Sequence, residues 1–195
     1  MEEKSGSPDR RTQLIQAALE LFLEKGYEHT RVEDIIDRVG IAKGTYYHYF
    51  KSKMNALEAV VEHLVAHYVD QLEAISILET SAKEKMALLW NGFNKLGNTA
   101  SILQELMKDK ENSLLLYRLV RKGMIESIAP HERIVNQGLQ EGAFHTPHPK
   151  MVAKVLPLII ASTFILEDVA DKQALFHFSN RILEIDTGTA DLENV

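Results

Sequence analysis

The chain has 195 residues, enough for one ordinary domain or for a small domain joined to a larger one. Its 45% hydrophobic and 26% charged content suits a soluble, core-forming protein, and the absence of cysteine excludes disulfides, zinc ribbons and thiol catalysis. The net charge of −6 is uneven: residues 1–53 hold nine Lys/Arg and nine Asp/Glu, so the whole deficit falls on residues 54–195. A balanced first part can carry a basic patch, and the patch, not the total charge, is what a polyanion meets. The opening MEEKSGSPDRR has no apolar run, so no secretory signal is expected. The longest uncharged apolar run, Val155 to Leu166, is too short to span a bilayer. A soluble cytoplasmic protein is the expectation.

The chain reads as helix nearly throughout, with no convincing alternation of period two. A first helix runs from about Arg10 to Lys25; Leu14, Ala17, Ala18, Leu21 and Phe22 recur at three and four, and Gly26 stops it. A second opens on a capping box in which Thr30 accepts from the amide of Glu33 and Glu33 reaches back; its apolar face is Val32, Ile35, Ile36 and Val39, and it ends at Gly40. A third runs from near Ala42 to about Phe50. Ser52 then caps a long fourth helix to about Ile77, with Leu57, Val60, Val61, Leu64, Tyr68, Leu72 and Ile75 as its stripe. Ser81 and Glu84 form another capping box, opening a helix with Met86, Leu89, Trp90, Phe93 and Leu96 on one side. A short helix is expected around Ser101–Lys108. A longer segment, Asn112 to Glu141, is kinked or split by Pro130. After the loop EGAFHTPHP come two apolar helices, about Pro149–Ala170 and Lys172–Ile185, then a polar tail. The fold class is therefore all-α: residues 1–51 form a three-helix domain, residues 52–195 a larger helical body, and the helix over about 52–77 links them.

The second and third helices, joined by a tight turn at Gly40, have the size and spacing of a helix-turn-helix, whose second helix enters the major groove of duplex DNA. The stretch AKGTYYHYFKSK, residues 42–53, suits that role. Four of the chain's fourteen aromatic residues fall within five positions, Tyr46, Tyr47, Tyr49 and Phe50, among three lysines, and no acid occurs between Asp37 and Glu58. Lys43 and Thr45 stand at the start of the third helix, where groove-facing donors belong. Lys51 and Lys53 can meet phosphates as point charges. Gly44 lets a backbone approach closely. Phe50 and Tyr46 are assigned to the core.

The segment VEDIIDRVGIAKGTYYHYFKSKMNALEAVV, preceded by ALELFLEKGYEHT, resembles the DNA-binding region of the tetracycline-repressor (TetR) family, over about residues 10–65. VNQGLQEGAF, residues 135–144, resembles a stretch that family members carry before their penultimate helix. The resemblance implies a homodimer on double-stranded DNA at a pseudo-palindromic operator, with a C-terminal body that binds a small-molecule effector and dimerises through its last two helices. No cofactor is expected. By position, Lys43, Gly44 and Thr45 match the start of the recognition helix, and Tyr47 matches a phosphate-contacting tyrosine. His48 and Tyr49 match positions that touch DNA, Lys53 matches a lysine that reaches a phosphate, and Thr30 matches the cap of the second helix. Ala42 departs from the serine often found there and caps poorly.

Other chemistry finds little anchor. His63 and His67 lie four apart, but a zinc HExxH site needs glutamate at position 64, which is Leu64, and no histidine has Glu three residues before it. No nucleophile motif, phosphate loop or dinucleotide fingerprint appears, so an enzyme is not expected. Candidates for an effector pocket are His63, His67, Tyr68, Trp90, Asn94 and Tyr117, polar or amphipathic groups in or beside apolar stripes. The last two helices carry more apolar residues than one core face requires, which points to a dimer interface with Val155, Ile159, Phe164, Phe178 and Ile182. The expected function is a repressor released from DNA by its effector. The alternatives are a helical protein-interaction module and a metal-binding helical protein.

Overall fold

The computed structural model describes residues 9–95, 110–165 and 172–183, excepting the side chains of 93–95, 110–112, 163–165 and 172. Every regular element among these residues is a helix: α1 (Arg10–Lys25), α2 (Val32–Val39), α3 (Lys43–Tyr49), α4 (Lys53–Ser76), α5 (Ala82–Lys95), α6 (Lys110–Glu126), α7 (Ile128–Gln140), α8 (Pro149–Ile165) and α9 (Lys172–Ile182). They fall into two compact units, Met1–Leu64 and Val65–Val195, and α4 begins in the first and ends in the second. The helix expected over 101–108 and the polar tail lie outside the described residues.

In the first unit α1 buries the face its spacing dictates, Leu14, Ile15, Ala17, Ala18, Leu21 and Phe22. α2 adds Ile35 and Ile36, α3 adds Tyr46 with Phe50 behind it, and the first turns of α4 add Ala56, Leu57, Val60 and Val61. Arg38 grips Glu24 through both guanidinium nitrogens at 3.0 and 2.7 Å, fixing α2 against α1. Gly40 closes α2 at φ +70°: its amide reaches the carbonyl of Asp37 and the amide of Ile41 that of Ile36, a Schellman ending that turns the chain into α3.

The start of α2 differs from the sequence expectation. Thr30 does not cap it. Its side chain is buried, and its hydroxyl donates to the carbonyls of Gly26 at 2.8 Å and Leu21 at 3.3 Å. The reciprocal pair lies one residue later, where the Arg31 amide donates to Asp34 at 2.6 Å. Lys53 completes the same turn. Its ammonium donates to the carbonyls of Tyr27 at 2.8 Å and Glu28 at 3.3 Å and lies 4.2 Å from the centre of the Tyr27 ring. The N-terminus of α4 is thereby tied to the α1–α2 turn, and Ser52 caps it through the Asn55 amide at 3.1 Å.

In the second unit the Ser81–Glu84 box forms as expected, with the Ser81 amide 3.1 Å from Glu84 and the Glu84 amide 3.3 Å from the Ser81 hydroxyl. Behind it Lys85 is buried, donating to the last carbonyl of α4, Ser76, at 2.9 Å and to Gln137 of α7 at 2.6 Å. Arg133 of α7 also bonds Ser76 and pairs with Glu73. Pro130 marks a split, not a kink: α6 ends at Glu126, and the proline stands in the first turn of α7, where no amide donor is needed. α7 and α8 pack along each other. At their connection the Ala143 and Phe144 amides both donate to the Gly138 carbonyl, and a Cβ on Gly138 would stand 2.0 Å from the Phe144 ring.

The interface residues expected on the last two helices need correction. Ile159 is buried in the unit's own core with Leu72, Trp90, Ile134 and Leu156, and Val155 and Ile182 pack against that core. Their side chains are occupied within the chain. Phe178 is exposed, and so are Met151 and Leu158 on α8. Phe164's side chain lies outside the described residues.

Lys53→Met should keep the stem and lose the donated bonds, lowering unfolding free energy by about 1–2 kcal/mol; an unchanged urea midpoint would show that the tie contributes nothing. His131, buried in α7 with Nδ1 2.7 Å from the Ser127 carbonyl, has its pKa pushed down from 6.5 to about 4 by burial. The unfolded chain therefore binds more protons between those values, and stability falls as pH drops from about 6.5 towards 4, by about 3 kcal/mol at most. His131→Gln should remove that part of the slope in denaturant titrations across the window.

Candidate nucleic-acid interface

Six of the residues expected to meet DNA come from α3 and its ends, and the helix presents them on one exposed surface. Tyr46 points inward: it is fully buried, its hydroxyl donates to the Ser52 carbonyl at 3.2 Å, and burial pushes its pKa up to about 12. Phe50 also faces the core, under the Arg11 guanidinium at 5.7 Å. With those two rings as the anchor, Lys43, Gly44, Tyr47, His48 and Tyr49 are left facing solvent and Thr45 is half-buried. Tyr47 stands edge-on to Tyr46, and Tyr49 is held by the His48 ring at 5.0 Å. These contacts fix ring directions that would otherwise be free, which lowers the ordering cost of any contact the rings make.

α3 starts without a side-chain cap: Ala42 accepts only the backbone amide of Thr45, at 2.9 Å. A Cβ at Gly44 would meet open space, so nothing in the chain obstructs approach there. Lys43 is not an isolated charge. Its ammonium donates to Glu33 of α2 at 2.8 Å, and that bond holds the Glu33 carboxyl below its ordinary pKa and raises that of Lys43. Glu33 lies ten residues before Lys43, outside the acid-free window that marks the segment. A carboxylate in the first turn of the leading helix of a helix-turn-helix is the sequence signal for such a partner.

Two of the expected contacts stand elsewhere. The Thr30 side chain is turned into the core and offers no surface group. Lys53 has two of its three donors engaged by backbone carbonyls of the α1–α2 turn, those of Tyr27 and Glu28.

Of the residues named for an effector pocket, Tyr68 and Trp90 share one core, and the others whose side chains are described stand apart from it. His63 and His67 are exposed, as is Tyr117, and the side chain of Asn94 lies outside the described residues. Trp90 is buried, edge-on to Phe176 at 5.7 Å. It lines a cavity of about 10 Å³ with Met86, Leu89, His131, Leu156 and Ile160, room for a single water. Tyr68 packs on the same core. Its hydroxyl is the one buried side-chain polar atom without a hydrogen bond among the described residues, and burial raises its pKa. His131 was missed by the sequence reading. Its signal is the stripe His131, Ile134, Val135 and Gly138, which puts the imidazole on the buried face of α7.

Residues 14–60, from α1 through the first turns of α4, match the family of bacterial regulatory proteins described as the tetR family. The fatty acid metabolism regulator protein of Bacillus subtilis is 26% identical over 182 residues, 89% of this chain and 91% of that protein. The transcriptional repressor KstR2 of Rhodococcus jostii is 39% identical over 71 residues, 36% of this chain and 33% of that protein. Among solved structures, a TetR/AcrR-family regulator from Thermobifida fusca is 26% identical with a TM-score of 0.64, covering 94% of this chain and 100% of that one. The regulator FadR from Bacillus subtilis, in complex with stearoyl-CoA, is 25% identical with a TM-score of 0.59, covering 89% and 95%. With the helix-turn-helix carried on α2 and α3, the family match over residues 14–60 and these likenesses along the chain support a transcription regulator of the tetracycline-repressor (TetR) family.

Proposed function

We propose that the protein is a homodimeric, cytoplasmic repressor that binds a pseudo-palindromic operator and is released from it by an apolar acyl effector. The exposed surface of α3 carries the proposal: Lys43, Gly44, Thr45, Tyr47, His48 and Tyr49 meet base edges and phosphates of the major groove. Residues 1–51 are the DNA-binding domain and 52–195 the regulatory and dimerisation domain. It acts by binding alone, without catalysis or a cofactor. Dimerisation sets the two α3 helices about one DNA turn (~34 Å) apart.

The effector class rests on two likenesses, the relative named as a fatty acid metabolism regulator and the FadR structure that holds stearoyl-CoA. The core of the second unit supports it chemically. It is apolar, with Trp90 and Met86 lining its cavity, and the unpartnered Tyr68 hydroxyl is offered to a polar group. At about 10 Å³ the cavity is far too small for an acyl chain, so binding must part α5, α7 and α8. An effector that binds the parted state more tightly shifts the equilibrium towards it, and α4, which begins in the first compact unit and ends in the second, carries the shift to the DNA-binding domain.

The dimer surface is assigned to the exposed face of α8 and α9, with Met151, Leu158 and Phe178; Met151 and Leu158 stand seven residues apart, on one side of the helix.

Selection of bound DNA from a random duplex library should enrich an inverted repeat, and stearoyl-CoA added to that complex should release it in fluorescence anisotropy. Sequence-blind retention would sink the repressor reading, and release by coenzyme A alone would sink the acyl one. Leu158→Glu with Phe178→Glu should give a folded monomer in light scattering, with operator affinity reduced more than 100-fold by loss of the second half-site (roughly 3 kcal/mol or more); an intact dimer would move the interface elsewhere.

A further inference from the structure

The Lys43–Glu33 pair sits where the recognition helix meets its leading helix, and the repressor reading leaves it without a role. Both side chains are largely exposed, 63% for Lys43 and 56% for Glu33, so neither is held there by packing. Lys43 also lies 6.0 Å from the centre of the Tyr47 ring, so one ammonium joins α2, the start of α3 and a DNA-facing ring. Three other acids of the first unit are paired with cations outside α3: Asp34 with Lys25, and Glu20 and Glu24 with Arg38. Among the described residues Glu33 is the one acid in an ion pair with α3.

This arrangement makes Lys43 conditional. A lysine free in solution gains a phosphate contact on any duplex and releases a counterion in doing so. A lysine already paired must exchange one ion pair for another, and the carboxylate it leaves then faces the phosphates alone. On random DNA the exchange gains little. At an operator that presents guanine O6 and N7 to α3, the ammonium gains acceptors that phosphate cannot duplicate. Specificity is a difference of affinities, and a group that penalises the wrong site raises it as surely as one that favours the right site.

Resting on the operator-binding reading, we propose that Glu33 is a specificity-determining residue, which holds Lys43 back from non-operator DNA and yields it only to the operator. Glu33→Gln should then tighten binding to random duplex roughly 2- to 5-fold, the scale of one exposed ion pair. It should also steepen the salt dependence on random DNA by about one unit of slope. Operator affinity should rise less, so the ratio of specific to non-specific affinity falls. Bulk charge is separated from release of Lys43 by repeating the substitution in a Lys43→Met background, where the gain should vanish. A gain equal on operator and random DNA, or one that persists without Lys43, overturns the inference and leaves the repressor reading intact. A wild-type chain that selects no operator fails earlier, and takes both readings with it.

Discussion

The backbone carbonyls around the α1–α2 turn govern the first unit. A carbonyl oxygen can accept twice, and backbone amides take only part of that capacity, as the Thr30 amide does at Tyr27. Side chains take more of it. Thr30 gives its hydroxyl to Leu21 and Gly26, and Lys53 gives its ammonium to Tyr27 and Glu28. One residue precedes α2 and the other opens α4, so satisfying one turn sets the entry of both helices. With α2 also gripped by Arg38 and ended by Gly40, α3 has a single way to lie. Buried Tyr46 and Phe50 hold its inner side, and its outer side follows.

The elements were legible because their signals are local. The apolar spacing of α1, the glycine ending of α2, the serine cap of α4 and the Ser81–Glu84 box all form as the sequence indicates. The same four-residue pattern fails at Thr30, and the contrast is instructive. At Ser81 no deeper acceptor competes, so hydroxyl and carboxylate close on each other. At Thr30 the carbonyls of Leu21 and Gly26 lie within reach of a buried hydroxyl, and a buried donor is costlier to leave unpaired than an exposed amide. Asp34, one position beyond Glu33, then takes over the reciprocal bond. Nothing in the local string reports where α1 ends in space.

The second unit was less legible for a different reason. α8 is apolar almost all round, so composition announces two buried sides without saying which side is which. Neighbours one residue apart differ by about 100° around a helix. Ile159 accordingly lies in the core while Leu158 faces out. The polar residues named for a pocket were chosen by position along stripes, yet whether such a side chain meets core or solvent is decided by the helix opposite. His131 was overlooked because a histidine followed by glutamate and arginine reads as surface until the helix is folded.

Gly138 and Phe144 carry a consequence for how this chain can change over generations. The ring lies over the glycine so closely that even a methyl group would collide with it, and two amides of the connection depend on the same backbone oxygen. The two positions thus behave as a single inherited character. Any larger residue at 138 becomes tolerable only after 144 has given up its ring, whereas loss of the ring first leaves a void that later substitutions could fill. The order of mutational steps is constrained as well as their identity, and lineages that drift at this turn must pass through a less stable ancestor before a new pairing can settle.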